Sequence, residues 1–536
     1  MNLTSTGQKP VACMLIDKSD GPDRAADKKG MMMKSAFVLL TLAMLAGTSN
    51  LAIAQTSDGV LTVATIGELP TLDAMQTPTD IVLTVDQHIF ETLYTYDAQW
   101  KSVPLLAAAM PTISADGLTY RIPLREGVKF HDGSDFGSKD VVASLKRWMN
   151  VNSKGKQVAT IVDSLTADGD HAVVFKLKSR YAPLLATLSQ ASIILPAAKV
   201  ADTITDFIGT GPYMLKERKP DQYTQLVRFD GYKSPDGEPN NYAGKREAVA
   251  KEIRFVPVPD ANTRVEGLIS GQFDFADSLP VSAYERIEKS GNAKPVIFEN
   301  TGWVSLNMNM KQGLLVKKPL RQAVQAALNS SDMMLAAFND QRFFSVDGSI
   351  FPKGSFWHTE AGVARYGEGD PETAAKLLKD AGYDGTPLRL LTSRQYEFHY
   401  KIGEVAKAYL EAAGFKVDMQ VVDWATLTTR RADPKEWDVF ITHSNFPGDP
   451  TTINTITDTY PGWYVSDQKA KAVSTYMDAT TDDAKQKAWA GIQTVIYDDA
   501  PLYKVGNFNA LSGISGSVTG YTPTYWPHFW NVTPKK

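Results

Sequence analysis

Through the C-terminal half of the chain, apolar residues recur with a period of three to four, then of two, then of three to four again. Lys318–Pro319 opens a helix that keeps Leu320, Ala323, Val324, Ala327 and Leu328 on one side, with the proline where a first turn tolerates it. Asp370 is placed to cap the next helix, with Pro371 at its first position. Ala374, Ala375, Leu377, Leu378 and Ala381 form its stripe, and Gly382 ends it. A strand over Leu388–Thr392 follows, then a helix over Lys401–Ala413 stopped by Gly414. Next come a strand over Phe415–Val422, a short helix over Ala425–Arg431 and a strand over Asp438–Thr442. Strand, helix, strand, helix, strand at this spacing predicts βαβ units and a mainly parallel sheet covered by helices.

The N-terminal half is less regular. Val60–Ile66, rich in Val, Ile and Thr, reads as a buried strand, and Leu118–Leu124 and Val173–Leu177 read as two more. Asp140–Met149 reads as a short helix with Val141, Leu145 and Trp148 on one face. Strand-like runs at Trp303–Asn307 and Leu502–Val505 mark two places where the chain crosses between halves.

One apolar run has a different meaning. Ala36–Gly47 follows Lys34 and precedes Ala52-Ile53-Ala54. A positive residue, a run of about a dozen apolar residues and a small-x-small site are the parts of a secretory signal peptide, whereas a bilayer span needs about 20. Residues 31–54 are therefore expected to be removed after Ala54. Residues 1–30, polar and charged, read as an extension beyond the natural start at Met31, Met32 or Met33. Of 536 residues, cleavage leaves 482, enough for two or three domains.

The single cysteine, Cys13, precedes the signal, so the mature chain is expected to carry no disulfide, no thiolate metal site and no lipid anchor. A hydrophobic content of 43% allows a large core in their place. The net charge of −4 favours neither nucleic acid nor an anionic membrane. No nucleophile elbow, zincin motif, phosphate loop or dinucleotide turn occurs, which disfavours a secreted hydrolase. His131-Asp132-Gly133 reads as a structural turn, and Gly209-Thr210-Gly211-Pro212 as a turn between strands.

In open parallel sheets, ligands sit beyond the carboxyl ends of the strands. Three loops leave such ends. The first runs from Leu69 through Asp73 to Thr77-Pro78-Thr79, the second is Ser393-Arg394-Gln395-Tyr396, and the third is His443-Ser444-Asn445-Phe446-Pro447-Gly448-Asp449-Pro450. One cation, carboxylates, amides, hydroxyls and rings suit a zwitterionic or polar organic solute. The candidate ligand residues are Asp449 and Arg394 as charge partners, His443, Asn445, Tyr396 and Thr77 as further polar contacts, and Trp303 and Trp424 as apolar walls. No catalytic residue and no metal ligand is expected.

Several stretches also resemble the extracytoplasmic solute-binding proteins of family 5, the dipeptide, oligopeptide and nickel receptors of ABC importers. The likeness is carried by Leu118-Thr119-Tyr120-Arg121-Ile122-Pro123-Leu124-Arg125-Glu126-Gly127-Val128-Lys129-Phe130-His131-Asp132-Gly133. Leu72-Asp73, Gly209 to Tyr213, Gly271-Gln272-Phe273-Asp274, Leu320-Arg321-Gln322-Ala323 and Ala374 to Gly382 add to it. The resemblance implies an α/β, two-lobed periplasmic-binding-protein fold of type II with a small extra domain inserted in lobe I. It places lobe I at 55–303 and 506–536, the insertion at about 90–207, and lobe II at 304–505. It implies a monomeric periplasmic receptor that closes on a peptide or peptide-like solute and delivers it to a membrane permease and its ATPases, without a cofactor and without chemistry. An opine, an oligosaccharide or a nickel or other metal chelate is the alternative ligand, and a chaperone-like side role is open. In peptide-binding members an Asp in the loop matching Thr442–Pro450 pairs with the ligand ammonium. Here the second acid of that loop is Asp449, and Ser444 stands where dipeptide receptors carry the first.

Overall fold

The computed structural model describes residues 59–364 and 366–534; the candidate signal segment and the polar stretch before it lie outside them. Strands are numbered in chain order. The first part of the chain holds β1 (Val60–Thr65), β2 (Tyr94–Tyr96), β3 (Ser102–Pro104), β4 (Thr112–Ile113), β5 (Thr119–Pro123), β6 (Val162–Ala167) and β7 (Ala172–Leu177). Then come β8 (Tyr213–Lys219), β9 (Tyr223–Arg228), β10 (Glu252–Pro257), β11 (Phe275–Leu279) and the long β12 (Ala293–Met308). The last are β13 (Phe344–Ser345), β14 (Leu388–Ser393), β15 (Val417–Val422), β16 (Val439–Ser444) and the long β17 (Leu502–Ser515).

Eleven strands share one sheet, ordered β15-β14-β16-β12-β17-β11-β1-β10-β9-β8, with β13 on the side of β17. The predicted parallel unit is present, with β14 parallel between β15 and β16, and a second one that the sequence reading did not predict places β1 parallel between β10 and β11. The expectation of a mainly parallel sheet needs correction, because the centre is antiparallel. β12 and β17 run against each other and against β16 and β11, and β8–β9–β10 is an antiparallel edge. Both central strands are far longer than a five- to six-residue strand, so one pair of strands serves both halves of the sheet.

That pair changes partners part-way along. Ala293–Phe298 pairs with Ala510–Ser515 beside β11, whereas Gly302–Asn307 pairs with Leu502–Phe508 beside β16, and the register shifts between Phe298 and Gly302. A separate four-stranded sheet, β4-β5-β7-β6, stands apart from the main one. It is packed by the helix Ser138–Val151, whose Val141, Leu145 and Trp148 are buried as the spacing predicts. Asp140 Oδ2 accepts from the Gly137 N–H at 2.9 Å and fixes the start of that helix.

The C-terminal helices follow their predicted signals. Asp370 accepts from the Thr373 N–H at 2.9 Å, ahead of the helix Pro371–Asp380. The helix expected from Lys401 begins four residues earlier, at Glu397, because Phe398 and His399 belong to its packed face. One core gathers Leu61, Val63, Phe255, Phe275 and the C-terminal Phe529 and Trp530. Another gathers Val304, Leu306, Leu320, Val324, Leu390, Ile402 and Ile441. Among the described residues no helix is long and apolar enough to cross a membrane.

Candidate functional site

The turn Gly209–Pro212 and His131 form one structural joint. The Gly209 N–H donates to His131 Nδ1 at 3.2 Å, so the other ring nitrogen carries the proton and donates to the Gly211 carbonyl at 3.0 Å. Asp132 Oδ1 accepts from the Ser134 N–H and hydroxyl at 3.0 and 2.6 Å, which accounts for His131-Asp132-Gly133 as a turn. Gly209 lies so close to the end of the helix Asp80–Ile89 that a Cβ would stand 2.0 Å from the Ile89 carbonyl oxygen. Gly209→Ala is therefore expected to cost about 3 kcal/mol, since overpacking against backbone has no side chain to move. Gly491→Ala, inside a helix with open space around it, is expected to raise stability by up to about 1 kcal/mol. The two melting temperatures measured side by side check this contrast.

The loop from β1 is also structural where it is charged. Arg147 meets Asp73 at 2.5 and 3.1 Å, and both side chains are buried. Thr77 is half-buried in the following turn, where its N–H donates to the Asp73 carbonyl at 3.0 Å.

The loop after β16 reaches the opposite half of the molecule. Asn445 is exposed and comes within hydrogen-bonding reach of the Tyr525 hydroxyl. Gly448 packs on Tyr96 so closely that a Cβ would lie 2.2 Å from its hydroxyl, and its carbonyl accepts from Trp357 Nε1 at 3.0 Å. Asp449 is buried. Its Oδ1 accepts from the Thr451 N–H and hydroxyl at 2.9 and 2.6 Å, and its Oδ2 accepts from the Tyr476 hydroxyl at 2.6 Å. Burial pushes its carboxyl above the usual range, and those three donors pull back part of the way. Lys485, near Asp449, donates to the Ala182 carbonyl at 3.2 Å, and Lys101 pairs with Asp482 at 2.5 Å.

Arg394 sits in a different environment, exposed, with its guanidinium 4.1 Å from the centre of the Tyr400 ring. Asp449, in the loop after β16, and Arg394, after β14, thus have different partners and do not pair with each other. Three predicted residues do meet. Tyr396, Trp424 and His443 form one aromatic group, with Tyr396 edge-on to Trp424 at 5.0 Å and to His443 at 4.9 Å. Trp303 does not join it. That ring is fully buried in a cluster with Phe351, Phe446 and Trp489, and its Nε1 has no partner among the described residues. Trp303 is packed where β12 is buried on both faces, away from the other three rings.

The sequence reading missed His399, whose Nε2 lies 3.1 Å from His443 Nδ1. It also missed Tyr476 and Tyr525. A histidine in the first turn of a helix, three residues past Tyr396, was the available signal for the first. Tyr525 lies in the segment after β17, where no periodicity marks a contact.

A sequence model of the bacterial extracellular solute-binding proteins, family 5 Middle, matches residues 101–463, more than half of the chain. The chain belongs to family 5 of these solute-binding proteins. Among its relatives is a probable peptide ABC transporter periplasmic-binding protein, y4tO, of Sinorhizobium fredii. It is 25% identical over 489 residues, covering 87% of this chain and 91% of the relative. The glutathione-binding protein GsiB of Escherichia coli is 25% identical over 491 residues, covering 86% and 91%. The family 5 fold is shared with the solved ABC transporter substrate-binding protein CtaP of Listeria monocytogenes, with a TM-score of 0.78 at 21% identity, covering 89% of this chain and all of that one. The two-lobed family 5 architecture, with its extra small domain, is thus the architecture of this chain. Within the stretch Thr119–Gly133, His131 is held by the joint with Gly209 and Gly211.

Proposed function

We propose that this chain is the solute receptor of an ABC importer and captures a peptide or peptide-like solute between its lobes. The observation that carries the reading is the loop after β16, which leaves the carboxyl end of a parallel strand and reaches Tyr96 and Tyr525 in the other half. Lobe I takes residues 55–303 and 506–536 and lobe II takes 304–505. The change of partners along β12 and β17, at Phe298–Gly302, supports a hinge at that crossing. The separate sheet β4-β5-β7-β6 supports an insertion within about 90–207. The names of the relatives support peptide: a peptide transporter component in one and glutathione binding in the other.

Asp449, Arg394, His443, Asn445, Tyr396, Trp424 and Thr77 stand as the ligand-facing set, with Asp449 acting through Tyr476 and Thr451 rather than as a bare charge. The receptor binds and releases without chemistry. It is exported by the segment 31–54, acts in the periplasm as a soluble monomer, and hands its solute to a permease driven by ATPases. Isothermal titration of the mature chain with di- to pentapeptides and glutathione tests this. Saturable one-to-one binding is expected, with a stabilisation of about 2.7 kcal/mol at a ligand concentration 100 times Kd. Heat from an opine or a metal chelate, with none from any peptide, would overturn the peptide reading.

A further inference from the structure

His399 and His443 share one short contact, Nε2 to Nδ1 at 3.1 Å, and a single proton occupies it. Two arrangements are open. If His443 donated through Nδ1, His399 would carry its proton on its own Nδ1. That atom is buried and has no partner among the described residues. A buried N–H without an acceptor is rarer and costlier than an unused acceptor lone pair. The other arrangement, His399 Nε2–H donating to His443 Nδ1, leaves only a lone pair unmatched. It also fixes His443 as the tautomer with its proton on Nε2. Burial holds both rings on the neutral side.

His443 Nε2 is not itself buried and has no partner among the described residues, and the same holds for Trp424 Nε1 and the Tyr396 hydroxyl. Indole N–H is a donor only, and His443 in this tautomer presents a donor as well. Arg394, on the same loop as Tyr396, has a guanidinium whose partner is the Tyr400 ring. Trp424 and His443 thus present N–H donors there, beside a Tyr396 hydroxyl that can donate or accept.

We infer that Tyr396, Trp424 and His443 form a carboxylate subsite of the ligand cleft, with His399 as the positioning residue that keeps the His443 proton on Nε2. This rests on the receptor reading above and names one chemical group of its solute. A carboxylate is matched by the two donor-only N–H groups of Trp424 and His443, and the Tyr396 hydroxyl can donate a third hydrogen bond to it.

Two measurements test it. In the unliganded protein, nitrogen-15 NMR of the imidazoles is expected to show His443 with its proton on Nε2 and His399→Phe to lose that fixed tautomer. A wild-type spectrum with the proton on His443 Nδ1 overturns the inference without touching the receptor reading. In the second, each carboxyl group of the tightest-binding peptide is replaced in turn by its amide. One replacement is expected to weaken wild-type binding at least tenfold. The same replacement is expected to weaken His443→Phe and Trp424→Phe by less than threefold. Peptide binding that no amide replacement weakens overturns the subsite, and failure of every peptide to bind overturns the peptide reading on which it rests.

Discussion

Glu91→Ala is expected to destabilise the protein by about 3–5 kcal/mol, the cost of leaving a buried charge without its partner. Glu91 is buried at the joint already built from Gly209 to Pro212. Its Oε2 accepts from the Thr210 hydroxyl at 2.8 Å, and its Oε1 accepts from the Tyr232 hydroxyl at 2.8 Å and from Arg246 at 3.4 Å. Arg246 also donates to the Tyr242 carbonyl at 2.6 Å and stacks 4.5 Å from the Trp530 ring. Removing the carboxylate leaves a guanidinium buried with one carbonyl and a ring, and two hydroxyls without their acceptor. Urea unfolding at pH 7 measures the loss. The double variant Glu91→Leu with Arg246→Met is expected to recover part of it, since no lone charge remains. A loss below 1 kcal/mol for Glu91→Ala would show that water reaches Arg246 and that the joint is not held by this pair.

What the sequence revealed follows from where its signals are local. Period and caps located Lys318–Ala327, Pro371–Asp380 and β14 to β16 within a few residues, because each buries a stripe that its own spacing announces. The antiparallel centre was hidden, since pairing between Ala293–Phe298 and Ala510–Ser515 joins segments about 200 residues apart and leaves no local mark. Still longer separations hid the C-terminal segment, where Phe529 and Trp530 fill the core around Leu61 and Phe255. The three loops do leave the carboxyl ends of β1, β14 and β16, but loop position does not fix which way a side chain points. Asp73 turned inward to Arg147 and Trp303 turned into the core, whereas Tyr396, Trp424 and His443 gathered. His399 was invisible because its role depends on a contact with His443, 44 residues away.

Acid should unfold this protein well before its carboxylates are neutralised. His88 is fully buried and both of its nitrogens are committed to the neutral form. Its Nδ1 faces the Val85 carbonyl at 3.3 Å and its Nε2 accepts from the Phe529 N–H at 3.0 Å. His131 is committed in the same way between Gly209 and Gly211. Burial first of all holds His88 down to about 3 and His131 down to about 4, from an ordinary 6.5. The unfolded chain therefore binds more protons below pH 6.5, and stability that is complete above 6.5 falls as pH drops toward 4. At pH 5 each of these two rings accounts for a loss of about 2 kcal/mol, or about 4 kcal/mol together. His399 and His528, also buried and held low, act in the same direction. Asp86, Asp277 and Asp449 act against it, because burial raises their carboxyls and the folded state takes up their protons first on acidification. Their contribution opposes that of the histidines, and substituting one histidine separates the two. Urea midpoints at pH 7, 6 and 5 are expected to fall steadily, and His131→Asn, which keeps an acceptor for the Gly209 N–H without a titrating ring, is expected to lose about 2 kcal/mol less over that interval. Midpoints that stay level from pH 7 to 5 would mean that protons reach these rings in the folded state.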